Sequence, residues 1–206
     1  ALYGLRTSGK RWYERLAACL REMGFTPCKA EPDVWLRSNG TIYEYVAVYV
    51  DDLGMAMDKP EEFLKVLTNK YKFNLKGSGP ITFHLGMDFT RDEDGVLCMA
   101  PTKYLEKVFA NYERMFGTKP KQNVMSPLES GDHPELDTSE FLDEEGITQY
   151  QSLIGIGRFD ITTHVMSLSS YRIAPRIGHL DRAKRIIGYL AKMKYACVQF
   201  RTDVPD

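Results

Sequence analysis

Apolar positions along this chain follow two periods, and each period predicts a different kind of element. Between residues 8 and 24, Trp12, Leu16, Cys19, Leu20 and Met23 recur at helical spacing. Thr7 or Ser8 is available to cap the start and Gly24 to stop the end, which predicts a helix. Two strand-like runs follow, Asp33 to Arg37 and Ile42 to Val50, and they flank Ser38-Asn39-Gly40, whose Asn-Gly pair is a strong hairpin signal. In the second run Val46, Val48 and Val50 alternate with Ala47 and Tyr49, so it is apolar on both faces, the pattern of a strand covered on both sides. Leu53 to Met57 continues as a further strand, which puts Asp51-Asp52 at the tip of a second hairpin and predicts at least three consecutive antiparallel strands.

Asp58 then reads as a helix cap with Glu61 reaching back, followed by an apolar stripe of Phe63, Leu64, Leu67 and Tyr71. Ile81 to Thr90 and Val96 to Met99 form another hairpin, turning at Asp92-Glu93-Asp94-Gly95. Thr102 to Met115 is amphipathic through Tyr104, Leu105, Val108, Phe109 and Tyr112. Gly117 to Gly146 is rich in Pro, Asp, Glu and Ser with little periodicity, so the main organisational boundary is placed there. From Ile147 the pattern is helical again over 150–157, 161–170 and 179–193, and a short strand over 195–201 closes the chain. The predicted fold class is α+β.

Composition changes this picture little: the 206 residues are 43% hydrophobic and 27% charged, ordinary for a globular protein. With 27 basic and 28 acidic residues the net charge is −1, so total charge does not point to nucleic acid, but its distribution does. Residues 1–29 carry Arg6, Lys10, Arg11, Arg15, Arg21 and Lys29 against Glu14 and Glu22. Residues 129–145 carry eight carboxylates and no Lys or Arg, whereas 172–194 carry seven basic residues against Asp181 alone. A neutral chain with such segregation can offer basic faces to a phosphate backbone. Cys19, Cys28, Cys98 and Cys197 show no Cys-x-x-Cys spacing and no zinc-type spacing with His84, His133, His164 or His179, so they read as reduced thiols of an intracellular protein. No apolar stretch approaches bilayer length and the N-terminus has no signal-peptide core. Beginning with Ala, the chain is expected to be a piece of something longer.

The candidate chemistry lies in Tyr49-Val50-Asp51-Asp52. Asp is a favoured turn residue, and a polar hairpin tip is one reading of the pair. Two adjacent carboxylates directly after an apolar run concentrate repulsion, however, and that arrangement becomes tolerable when a divalent cation sits between them and a phosphate. Hard cations take oxygen ligands, and Mg²⁺ uses one or two carboxylates plus substrate oxygens.

Around this tip the chain resembles the reverse transcriptases of Ty1/copia-type retrotransposons. The matching stretches are Ala1-Leu2-Tyr3-Gly4-Leu5 with Ser8 and Trp12-Tyr13, Tyr49-Val50-Asp51-Asp52, and Phe83-His84-Leu85-Gly86-Met87. Tyr150-Gln151-Ser152-Leu153-Ile154-Gly155 and Ala183-Lys184-Arg185-Ile186 with Tyr189-Leu190 complete the series, in the family's order and over nearly the whole chain. The resemblance implies a partial polymerase palm over 1–100 containing the Asp hairpin, a helix and acidic linker over 101–146, and a helical thumb- or connection-like region over 147–206. It implies two-metal nucleotidyl transfer with Mg²⁺ (or Mn²⁺), in which Asp51 and Asp52 are metal ligands and Tyr49 places the hairpin near the primer terminus. Arg6, Lys10 and Arg11 would contact phosphates, and Lys76 is the candidate general acid for the departing pyrophosphate, with Lys70 and Lys72 as competitors.

The implied partners are an RNA/DNA template-primer, deoxynucleoside triphosphates and the rest of a Pol polyprotein, including integrase and ribonuclease H. No membrane is implied, and the implied location is cytoplasmic, in particles, with a nuclear stage. The sequence departs from the family pattern in two places: a third Asp, expected on a strand before the segment matched by Ala1 to Leu5, is absent, and several residues are missing between Gly155 and Arg158. A catalytically dead remnant or a domesticated nucleic-acid-binding module is therefore the alternative function.

Overall fold

The computed structural model describes residues 7–201. The chain forms two compact units, Ala1–Ile81 and Thr82–Asp206, so the hairpin expected over residues 81–99 clusters with the helices that follow it. The elements are α+β with antiparallel pairing throughout. Among the described residues no helix is long and apolar enough to cross a membrane.

In the first unit, α1 (Ser8–Glu22) turns Leu16, Ala17, Cys19 and Leu20 inward. Its start differs from expectation, since the Thr7 side chain makes no capping bond. Its end is as expected: Gly24 takes φ +84° and Phe25 N–H donates to the Leu20 carbonyl at 2.9 Å. Four strands follow, β1 (Thr26–Pro27), β2 (Val34–Ser38), β3 (Tyr43–Tyr49) and β4 (Asp52–Ala56), paired in chain order. Trp35, Val46 and Val48 on one face join Leu16, Leu20 and Phe25 and, from α2 (Pro60–Asn69), Phe63 and Leu67 in a single buried cluster. Full burial of such a side chain contributes about 1.5–3 kcal/mol.

The expectation that β3 is covered on both sides fails. Burial alternates strictly along it, with Glu44, Val46 and Val48 inside and Tyr43, Tyr45 and Tyr49 outside. The tyrosine hydroxyl allows the ring to stand in water, so an unbroken apolar run does not require cover on both faces. Inside, Glu44 is compensated by Arg37, whose Nε donates at 2.9 Å and whose third nitrogen reaches the Met23 carbonyl at 2.7 Å. The expected capping box of α2 also does not form, because Pro60 opens the helix and the Asp58 carboxylate accepts from Asn39 at 3.3 Å instead.

In the second unit, β5 (Phe83–His84), β6 (Met87–Arg91), β7 (Leu97–Ala100) and β8 (Val198–Phe200) form a sheet in that order, so the last strand of the chain pairs with β7. The run 81–90 is not one strand. It folds back at Leu85-Gly86, where both residues have positive φ, +51° and +81°, the requirement of a type I′ turn. Helices α3 (Thr102–Phe116), α4 (Glu144–Ile154), α5 (Thr162–Ser169) and α6 (Ile177–Lys192) bury Leu105, Tyr112, Tyr150, Ile161, Leu168 and Ile187 in a second cluster. Asp88 on β6 accepts the Lys103 backbone N–H at 2.9 Å, tying the hairpin to the first turn of α3. At the segment before α5, the buried Arg158 grips Asp160 through two bonds of 2.6 and 2.7 Å and donates to the Met193 carbonyl at 2.7 Å, so the junction is closed.

The acidic stretch is bound to the basic helix rather than left as a linker. Arg182 on α6 holds Asp132 at 2.9 Å and Asp137 at 2.5 Å, and Arg185 holds Glu129 at 3.0 Å. Ser139 donates to Asp137 and accepts the Gly178 N–H at 2.9 Å, and a side chain at Gly178 would collide with the Asp137 carboxylate. Part of the charge segregation read from the sequence is thus neutralised inside this unit.

Burial alone would raise the Asp137 carboxyl, but hydrogen bonds from Ser139 and the Arg182 guanidinium outweigh it and hold the group down at about 2. A carboxyl lowered on folding contributes stability that is complete above its unfolded value near 4 and disappears as pH falls toward 2. The shift corresponds to about 2 kcal/mol. Urea denaturation should therefore show the second unit losing about this amount between about pH 4 and pH 2, and Asp137→Asn should remove both the stabilisation and that part of the pH dependence.

Candidate active site at the Asp51-Asp52 hairpin

β3 and β4 pair with Tyr49 opposite Asp52, so the turn consists of Val50 and Asp51, and Asp52 is already the first residue of β4. Val50 has φ +55° and is 72% exposed. For a β-branched residue this backbone conformation costs on the order of 1–3 kcal/mol. Directly paired residues share a face, so Asp52 stands on the same side as Tyr49, and the two-residue period adds Ala47, Tyr45 and Tyr43 from β3 and Gly54 from β4. Val34 and Leu36 of β2 continue it. The candidate site is therefore one end of an exposed aromatic sheet face whose opposite face carries the core.

Asp51 and Asp52 are both exposed. Water screens their repulsion, and the unfavourable pairing expected from the sequence does not develop. Two exposed carboxylates suit a hard cation that keeps waters or phosphate oxygens in its remaining positions, so the donor chemistry fits Mg²⁺. Among the described residues, no group of three or more His, Cys, Asp or Glu is placed to hold a metal.

Other predicted residues are placed as follows. The Tyr13 hydroxyl donates to the Pro32 carbonyl at 3.4 Å, and the Asp33 carbonyl accepts from Val48 N–H at 2.9 Å. The first half of α1, with Lys10 and Arg11 exposed, therefore stands at the same end of the sheet as the acidic pair. Among the described residues Lys10 makes a long exposed ion pair with Glu14, at 3.8 Å. Arg15 and Arg21 are used in packing, over Phe73 and Trp35. Arg6 lies outside the described residues. Lys76 is exposed in the loop after α2, with no geometry joining it to the pair, while Lys70 engages Glu22 and Tyr71. A groove of about 430 Å³ lined by Arg37, Asn39, Glu44, Asp58 and Phe63 lies at the far end of this sheet, by the Asn39-Gly40 turn.

The fold and site define a class: an α+β protein that raises an acidic hairpin at the end of a sheet packed on one face only. Comparison with known proteins supplies the family. A family model described as reverse transcriptase (RNA-dependent DNA polymerase) matches residues 1–127, and the chain belongs to that family. It is 28% identical over 98% of its length to the transposon Ty5-1 protein of Saccharomyces cerevisiae and 28% identical over 93% to the retrovirus-related Pol polyprotein from transposon RE1 of Arabidopsis thaliana. It is 24% identical over its whole length to the Ty1-DR1 Gag-Pol polyprotein of Saccharomyces cerevisiae. The chain spans 66% of the Ty5-1 protein but only 13% and 12% of the two polyproteins. No solved structure matches it. The resemblance to copia-type reverse transcriptases read from the motifs therefore holds.

The strain at Val50 is directly measurable. Val50→Gly should raise the stability of the first unit by about 1 kcal/mol in chemical denaturation, because glycine adopts positive φ without a Cβ clash and gives back only part of the gain in chain entropy. A loss of stability would mean that the Val50 conformation is not strained.

Proposed function

We propose that the chain is the part of an RNA-directed DNA polymerase that carries the Asp hairpin, acting in two-metal nucleotidyl transfer, with residues 1–100 palm-derived and 147–206 thumb- or connection-like. Asp51 and Asp52 are the Mg²⁺ (or Mn²⁺) ligands, and Tyr49 supports the hairpin beside the primer terminus. The observation that carries this reading is that Asp52 opens an edge strand on the exposed face of the sheet. The outer edge of β4 is then available to a neighbouring strand bringing the third carboxylate, and nucleic acid lies along the tyrosine face and past the end of the sheet, where Lys10 and Arg11, on the helix that covers the other face, contact its phosphates. Bound at the pair, Mg²⁺ would activate the primer 3′-hydroxyl and neutralise charge on the leaving pyrophosphate. Lys76 is the candidate proton donor to that leaving group. The partners are a template-primer, deoxynucleoside triphosphates and the remainder of a Pol polyprotein.

A second reading, a remnant or nucleic-acid-binding module without turnover, is favoured by the lack of a three-ligand cluster among the described residues. Template-primer extension distinguishes the two when the chain is joined to the segment that precedes it in its reading frame. Asp51→Asn and Asp52→Asn should each lower Mg²⁺-dependent extension by about 10²-fold or more. Both sites are exposed, so folding stability should change by no more than about 0.5 kcal/mol. Extension that persists in both variants would remove the metal assignment, and an inactive parent that still binds template-primer would favour the second reading.

A further inference from the structure

The turn between β2 and β3 is remote from nucleotidyl transfer, yet its hydrogen bonds arrange a reaction of their own. Of the five asparagines, Asn39, Asn69, Asn74, Asn111 and Asn123, only Asn39 precedes a glycine. Its Oδ1 accepts two backbone N–H groups, from Thr41 at 3.1 Å and from Ile42 at 3.0 Å, and these donors identify which end of the amide is the oxygen. Its Nδ2 donates to the Asp58 carboxylate at 3.3 Å. The next backbone nitrogen, that of Gly40, donates to Ser38 Oγ at 3.2 Å. Ser38, Asn39 and Gly40 are exposed, and a Cβ at Gly40 would meet nothing within 4 Å, so water reaches the turn.

We propose that Asn39 is a modification site at which the folded chain deamidates itself, through a cyclic imide, to aspartate or isoaspartate. The Gly40 nitrogen attacks Asn39 Cγ and gives up its proton to water by way of Ser38 Oγ. Glycine has no side chain to shield that nitrogen, and nucleophile and amide are held in one chain. Negative charge develops on Oδ1, where the Thr41 and Ile42 N–H groups stand at the distance that stabilises an oxyanion. The Cγ–Nδ2 bond then breaks, Nδ2 takes a proton from water, and ammonia leaves. Water opens the imide at either carbonyl. In sum one water is consumed and one ammonia released, with no oxidant or reductant.

The product alters the groove beside the turn. An aspartate at 39 keeps the two backbone bonds at Oδ1 but cannot donate to Asp58, so a hydrogen bond becomes a contact between like charges. The cations that line the groove, Arg37 and Lys59, are already paired with Glu44 and Glu62. Isoaspartate adds a carbon to the main chain inside the turn, which loosens the β2 and β3 pairing that sets the register of Asp52.

The test holds the full chain at neutral pH, in buffer and in urea, and follows it by intact mass, peptide mapping and thermal unfolding. Expected in buffer is the mass gain of replacing NH by O, mapped to Asn39 ahead of the other asparagines. Asp94-Gly95 can isomerise but does not change the mass. Tm should fall by a few degrees, and Asn39→Asp should show a similar fall without further mass change. Ser38→Ala should slow the reaction several-fold in buffer while leaving it unchanged in urea, where the turn is absent. An Asn39 that persists in buffer but reacts in urea, earlier reaction at another asparagine, or equal rates for Ser38→Ala and the parent in buffer would each overturn the proposal.

Discussion

The constraint on which the candidate site depends is that the first sheet buries only one face. α1 and α2 cover Trp35, Val46 and Val48, and because side chains alternate, the same packing forces Tyr43, Tyr45, Tyr49 and Asp52 to the opposite side. A slip of one residue in the pairing would exchange the two sets and carry Asp52 beneath the helices. Two features oppose that slip. The Asn39-Gly40 turn fixes the β2 and β3 register, with Gly40 at φ +95°. The half-buried Arg37 on the buried Glu44 locks it again, since moving either residue would leave the Glu44 charge uncompensated inside.

The second unit is organised by charge as much as by its apolar cluster. Residues 129–145 repel one another in isolation, and so do the basic residues of α6. Bringing Asp132 and Asp137 onto Arg182 settles both problems in one partly buried geometry with several bonds per guanidinium. Arg176 stacks over Phe141, and Lys184 over Phe116. The basic residues of 172–194 that looked suited to phosphate are largely committed to the fold.

Periodicity revealed the helices well because burial followed the helical stripe: Leu16 and Leu20, Phe63 and Leu67, and Leu105 and Val108 all lie inside. The Asn-Gly hairpin was legible for the same local reason. What was not legible depended on competition between partners. Asp58 had the spacing of a cap but found Asn39 across the hairpin, and Thr7 had the identity of a cap without the bond. Leu85-Gly86 hid a turn inside a run that read as one strand. The Arg182 contacts join residues 45 and 50 positions apart, a separation at which no local pattern exists. At the site itself the acidic pair stood out at once. That Val50 and Asp51 form the turn while Asp52 belongs to the strand follows only from the pairing register, and the exposed tyrosine face was visible in the alternation of residues 43, 45 and 49 once tyrosine is allowed to face water.

The sheet edges give the last step. Edge strands invite unwanted pairing and are usually short or blunted by proline or charge. β1 is two residues long and contains Pro27, β5 has two residues, and β8 has three. β4 is the exception: it runs for five residues, Asp52-Leu53-Gly54-Met55-Ala56, with no proline or lysine. A side chain at Gly54 would meet only Ala47, at an ordinary 3.8 Å, so steric crowding within the sheet does not demand glycine there. A long, unblunted edge with small residues and a carboxylate at its head is what a further strand would need in order to pair alongside and bring another acidic group to Asp52. The same edge would be a liability in a sheet that acted alone.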